Sequence, residues 1–187
     1  MVAVPEVITK RRLTYEDYLA LPEDQDYEII NGVLYVAPRP RPKHQRIAHR
    51  FAVMLTLELE HRGRGVIVPD ADLIVSEHDD YVSPDVMFFA GDRYAAVDPD
   101  EPIRIIPDLM VEVLSPSTEH RDRTEKKRLC ARLGVSHYWM ADTNRRRLTE
   151  CVLQPPGRYA ERVIVVGEPF RPALAPDLTI DLGTLFE

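Results

Sequence analysis

Pro107-Asp108-Leu109-Met110-Val111-Glu112-Val113-Leu114-Ser115-Pro116-Ser117-Thr118 is the stretch whose reading decides the fold. The run from Leu109 to Leu114 is the most apolar strand-like segment of the chain. It contains β-branched residues and is bounded on both sides by turn-forming residues, so it reads as a buried central strand. Glu112 lies inside it. A carboxylate there loses its hydration, and it is protonated or expelled unless a cation, a metal or strong donors stabilise it. The position therefore predicts a chemical role. Two further groups can share it: Asp85, which opens an earlier apolar run after Pro84, and Lys126, on the helix expected to follow the strand.

Outward from this strand, the rest of the chain reads as one α/β domain. Thr14-Tyr15-Glu16-Asp17 has capping-box form and starts a short helix that ends at Pro22. Asp26 to Ile30 and Val33 to Val36 are β-rich runs joined by Asn31-Gly32, which suits positive φ at both turn positions and predicts a type I′ hairpin. Pro38-Arg39-Pro40-Arg41-Pro42 reads as an extended linker. A long helix follows, with Ile47, Phe51, Met54, Leu55 and Leu59 on one face and Gly63 and Gly65 at its end. Strands are expected near Val66–Val68, Asp72–Val75 and Asp85–Phe89, then a polar loop from Gly91 to Pro102. After the Glu112 strand come a helix from about Glu119 to Leu133, stopped by Gly134, and a strand at Tyr138-Trp139-Met140. A meander through Thr149–Leu153 and Val163–Val166 turns at Pro155-Pro156-Gly157. Alternating elements of this kind predict a mixed sheet flanked by helices. The expected division is an N-terminal helix and hairpin (1–40), a core (41–143) and a C-terminal meander (144–187).

The chain has 187 residues, long enough for one sizeable core and short for two. Cys130 and Cys151 have no metal-ligand or redox spacing, and Pro5 and Glu6 interrupt any signal-peptide core. No stretch approaches a membrane span. These features predict a cytoplasmic protein with no membrane contact. The net charge of −7 argues against indiscriminate nucleic-acid binding, but the charges are segregated. Arg39, Arg41, Lys43, Arg46 and Arg50 occur with no acid among them. A second cationic group runs from Arg121 to Arg132, and a third is Arg145-Arg146-Arg147. For any single cluster, solvated helix faces or a charged turn are the favoured reading.

Asp85 and Glu112, on neighbouring strands, are two hard oxygen ligands of the kind Mg²⁺ or Mn²⁺ takes along with waters and phosphate oxygens. The backbone carbonyl of Val113 can complete the set, and Lys126 can orient water or offset charge on a phosphate. Each residue also has a plainer reading. Asp85 can cap a turn after Pro84, Glu112 can be neutralised by Lys126 alone, and Lys126 can pair with Asp122 one helical turn away. His44 and Gln45, at the start of the long helix, are candidates for a phosphate contact, with a surface or capping role as the alternative. Trp139 is expected in the core.

This constellation resembles the Uma-two family of restriction endonucleases, within the PD-(D/E)XK nuclease superfamily. The resemblance is carried by Asp26 to Gly32, His44-Gln45, Pro84-Asp85-Val86, Pro107 to Thr118, and Asp122 through Lys126 to Trp139. It implies a restriction-endonuclease-like core of one helix, three strands, a helix and a strand. It also implies a Mg- or Mn-dependent endonuclease acting on DNA, with Asp85 and Glu112 as metal ligands and Glu28 as an extra acidic residue. The superfamily lysine belongs two residues after the Glu, where this chain has Leu114, and the resemblance implies that Lys126 replaces it. Cys130 stands where similar proteins carry Tyr. Duplex cleavage further predicts a homodimer or higher homo-oligomer. The rival expectations are a catalytically idle nuclease-fold module that binds nucleic acid or a protein, and a structural protein in which Glu112 and Lys126 merely pair.

Overall fold

The structure, a computed structural model, describes residues 12–22, 25–37, 39–75 and 80–187. Pro38 of the expected linker and nearly all of the N-terminal segment read for a leader lie outside the described residues. The elements run α1 (Tyr15–Leu19), β1 (Asp26–Ile30), β2 (Val33–Ala37), α2 (Pro42–Leu55), β3 (Gly65–Pro69), β4 (Leu73–Val75), β5 (Asp80–Val82) and β6 (Val86–Ala90). They continue with β7 (Leu109–Leu114), α3 (Glu119–Arg121), α4 (Lys127–Leu133), β8 (His137–Asp142), β9 (Arg147–Gln154), β10 (Arg158–Val165), β11 (Pro169–Phe170), β12 (Ile180–Asp181) and α5 (Leu182–Leu185).

The main sheet has the order β10-β9-β8-β7-β6-β3, with β7 and β8 parallel and every other neighbouring pair antiparallel. A parallel pair needs a crossover, and the helical stretch from Glu119 to Leu133 supplies it. Alternation along β7 sends Val111 and Val113 to one face, where they meet Ile47, Phe51 and Leu55 of α2 and Trp139 of β8. Met110 and Leu114 go to the other, against Leu129, Cys130, Tyr138 and Met140. The strand is buried along its whole length, as its apolar run demands. Trp139 is core, edge-on to Phe170.

Four features depart from the expected outline. β4 does not join the main sheet. It pairs with β5, a strand not expected from the sequence, in a second sheet of order β2-β1-β5-β4 that carries the hairpin. Both long helices contain a wide π turn, at Thr56–Glu60 and at Asp122–Lys126. The loop after Gly91 holds a turn of 3₁₀ helix at Arg93–Ala96. Finally, β9 begins at Arg147, inside the expected arginine turn. The hairpin follows its sequence signal, with φ of 55° at Asn31 and 74° at Gly32. Gly65 also has a steric reason: a Cβ there would lie 2.0 Å from the carbonyl oxygen of Phe89. No helix among the described residues is long and apolar enough to cross a membrane.

Candidate active site

β6 and β7 pair as far as Val86 opposite Val111. In that register Asp85 and Glu112 come next, and there the two strands part. The backbone carbonyl of Asp85 accepts from Asp70 N–H (3.1 Å), toward β3. Its side chain turns to β7, where Oδ2 accepts from the N–H of Val113 at 2.6 Å. The N–H and C=O of a strand residue leave the same edge, so the Val113 carbonyl also faces this fork rather than β8.

Three elements close around Glu112. The wide turn Asp122–Lys126 directs both its terminal side chains inward, and each is buried. Such π turns are rare inside helices and concentrate at functional sites. Lys126 Nζ lies 2.9 Å from Glu112 Oε1, 2.7 Å from Glu28 Oε1 and 3.8 Å from Asp122 Oδ1. Glu28 arrives from β1, on the buried side of the hairpin, and is 3% exposed. Its Oε1 also accepts from Ser83 N–H (3.3 Å), and Arg121 Nη2 lies 3.0 Å from its Oε2. Arg121 in turn sits over the Tyr35 ring, 5.5 Å from the centroid. From the opposite face of the sheet, His44 of α2 brings Nε2 to 3.4 Å from Asp85 Oδ2.

The charges in this cluster do not balance. Glu28, Asp85, Glu112 and Asp122 are carboxylates, against Lys126, Arg121 and the titratable His44. Burial pushes the Asp85 carboxyl up to about 6, opposed by His44, by the Val113 N–H and by Lys126. Burial raises Glu112 well above the carboxylate range; Lys126 opposes this, while Asp122, Asp85 and Glu28 add to it. Burial raises Asp122 as well. Burial would also raise Glu28, but Lys126 and Arg121 outweigh it and hold that carboxyl below its ordinary value. Burial alone would discharge Lys126. Glu112, Glu28 and Asp122 together reverse that and keep it cationic. The cluster therefore holds more acid than its cations can offset, and Asp85, Glu112 and Asp122 are all shifted up.

That excess tests the fit of a divalent cation. Asp85, Glu112 and the Val113 carbonyl are hard oxygen donors gathered at one fork, and their environment favours added positive charge. Mg²⁺ needs one or two carboxylates and fills its remaining positions with water and phosphate oxygens, so the donor set fits. Among the described residues no group of three or more His, Cys, Asp or Glu side chains is placed to hold a metal, so an ion here would rely on the two carboxylates, the carbonyl and water.

The structure thus brings together Asp85, Glu112, Lys126, Glu28 and His44, and Gln45 is exposed in the first turn of the same helix as His44. The plainer pairing of Lys126 with Asp122 is present too, as one contact among several. Cys130 is buried and donates to Met110 Sδ, so this position lines the core under the site rather than opening into it. Arg121 was the unforeseen member, and Asp122 was expected only as a partner of Lys126. In the sequence both sit in a cationic helix stretch, and nothing local marks Arg121 as buried against Glu28.

Comparison with known proteins places the chain in a family and a fold. The profile of the Uma2 family, described as "Putative restriction endonuclease", matches residues 15–183. A Synechocystis protein named "Uncharacterized protein sll1609" is 30% identical over 122 residues, 64% of this chain and 68% of that protein. The crystal structure of a "putative nuclease belonging to DUF820" from Anabaena variabilis superposes with a TM-score of 0.76 at 21% identity. It covers 93% of this chain and 97% of the other, and it establishes the shared fold.

Proposed function

The chain belongs to the Uma2 family, described as putative restriction endonucleases, and from that premise we propose that it is a Mg²⁺- or Mn²⁺-dependent endonuclease that hydrolyses phosphodiester bonds in DNA. The observation that carries the reading is the unbalanced carboxylate cluster at the β6–β7 fork. Burying Asp85 and Glu112 with their pKa values raised costs the metal-free fold stability, and a cation-dependent enzyme has a use for such a pair. Asp85, Glu112 and the Val113 carbonyl would hold the divalent ion, which when bound supplies a polarised phosphoryl oxygen and a more acidic water. Lys126 keeps its charge beside Glu112 and orients that carboxylate while offsetting negative charge at the phosphate. Glu28 acts as the auxiliary carboxylate that positions Lys126. His44 holds Asp85 from the other face and stands ready for a phosphate oxygen. In this reading residues 41–143 are the nuclease core, 1–40 brings Glu28 to it, 144–187 covers the far edge, and the working form is at least a homodimer.

A supercoiled-plasmid nicking assay tests the reading. Nicking with Mg²⁺ or Mn²⁺ that stops with EDTA, with Asp85→Asn and with Glu112→Gln is expected. A wild-type protein that neither nicks nor gains melting temperature with Mn²⁺ overturns it. The contacts of Lys126 favour a second reading. A fully buried lysine closed onto Glu112 and Glu28 is also what an idle nuclease-fold module would use to hold its core together. In that case Lys126→Ala unfolds the protein, and there is no activity to lose.

A further inference from the structure

We propose that the flank of α2 carrying Lys43, Arg46 and Arg50, continued by Arg41 at its N-cap, grips the phosphate backbone of duplex DNA beside the acid cluster. This surface deepens the nuclease reading and rests on it for the identity of the polyanion. The whole chain is anionic at −7 and the cluster at the fork is more so, so a phosphate backbone reaching it needs local cations that outweigh the repulsion. Three cationic stretches are available in the sequence, and the structure treats them differently. In the second and third, Arg123, Arg145 and Arg147 are tied to Glu119 or Asp142, Lys127 to Glu161, and Arg132 to Asp80. Acids on the protein already offset those charges, which leaves Arg128 and Arg146 as the cations of these two stretches with no ion pair among the described residues.

The flank of α2 is different. From Arg39 to Leu57 the sequence has no acid. Lys43 Nζ donates to the carbonyl of Thr143 at 3.1 Å, and Arg50 Nη1 donates to the carbonyl of Thr184 at 3.0 Å. Carbonyls fix the direction of these side chains and leave the full charge in place. Arg41 and Arg46 are exposed, and among the described residues neither has an acidic partner. Positions 43, 46 and 50 recur along one side of a helix. Lys43 and Arg50 are therefore about 10 Å apart along its axis, close to the rise of about three phosphates on one DNA strand. The row starts at the site itself, because His44, next to Lys43, is the residue in contact with Asp85.

The test measures binding without cleavage. A fluorescein-labelled DNA duplex is titrated in EDTA, by anisotropy, across about 50 to 200 mM salt, where each phosphate contact contributes a slope of about 0.9 in log affinity against log salt. Arg41→Ala/Arg46→Ala is expected to weaken binding and to lower the slope by about two, and Arg46→Lys to restore the share of that residue. Arg158→Ala is the control. It lies opposite Gln154, at the end of the sheet away from the carboxyl ends of β7 and β8, and should leave the slope unchanged. Absent binding by wild type, an unchanged slope in the double variant, or an equal loss in Arg158→Ala overturns the surface. So does a duplex RNA that binds more tightly than the DNA. Nicking is scored on the same preparations, so the two readings fail separately. Nicking without flank-dependent binding removes this surface alone, and flank-dependent binding without nicking removes the enzyme alone.

Discussion

Glu112 and Asp142 are buried carboxylates on adjacent parallel strands, β7 and β8, and they are held in opposite ways. Asp142 Oδ2 is reached by Arg145 (2.9 Å), Arg123 (3.4 Å) and Arg147 (3.4 Å), while its Oδ1 accepts from the Arg145 backbone N–H at 2.9 Å. Burial works against that carboxylate, but the Arg145 hydrogen bonds and the surrounding guanidinium charge outweigh it, and its pKa falls below the ordinary range. Glu112 shares a single lysine with Glu28 and Asp122, and its pKa rises. Burial alone therefore does not mark a candidate catalytic acid; the local balance of charge does. A structural carboxylate is oversupplied with cations, whereas this one is left short by an amount that a divalent ion can make up.

The sharpest way to break this contrast is to remove each acid's charge and keep its shape. Glu112→Gln should abolish metal-dependent nicking and the Mn²⁺ effect on melting, while the metal-free melting temperature stays near wild type, since burial already works against the charge on that carboxyl. With Mn²⁺ at about 100 times its Kd, the wild-type fold should gain about 2.7 kcal/mol that Glu112→Gln does not. Lys126→Ala should reduce nicking by about 10²–10³-fold and destabilise the fold by about 3–5 kcal/mol, as chemical denaturation would show. If nicking is unchanged, the lysine belongs with the structural pairs.

Asp142→Asn should leave nicking intact and cost about 1–2 kcal/mol at neutral pH. Because the folded pKa of Asp142 lies below the unfolded one, its contribution is present above the unfolded value and disappears as pH falls through the folded value. The stability gap between wild type and Asp142→Asn should therefore close on acidification. Asp85 should show the opposite sign. Its carboxyl titrates near 6 in the fold against an ordinary 3.8, so the native state holds its proton longer than the unfolded chain does. Metal-free wild type should lose stability relative to Asp85→Asn as pH rises from about 4 through about 6. Parallel pH–melting curves for the two variants would settle both signs.

Much of this was legible in the sequence because it is local. The apolar run around Glu112 specified a buried strand, Asn31-Gly32 specified a hairpin, and the spacing of Ile47, Phe51 and Leu55 specified the face of α2. Asp85, Glu112 and Lys126 stood out because a carboxylate in an apolar strand is costly wherever the strand ends up. Tertiary structure decided the remainder, through contacts between residues far apart in the chain. The sequence offers no reason for Glu28 on a hairpin to reach Lys126, and the second sheet that brings them together rests on β5, a strand of three residues. Asp122 shares the inward helix face with Lys126, Leu129 and Cys130 at ordinary helical spacing, but nothing local in the sequence brings Arg121 onto Glu28. Of three cationic stretches alike in composition, the fold pairs most of two with acids and leaves the flank of α2 without them. The sequence by itself determined which charges exist and which elements carry them. Only the folded chain decided which of those charges are neutralised, because that depends on distances of a few ångströms between strands and helices that are not neighbours in sequence.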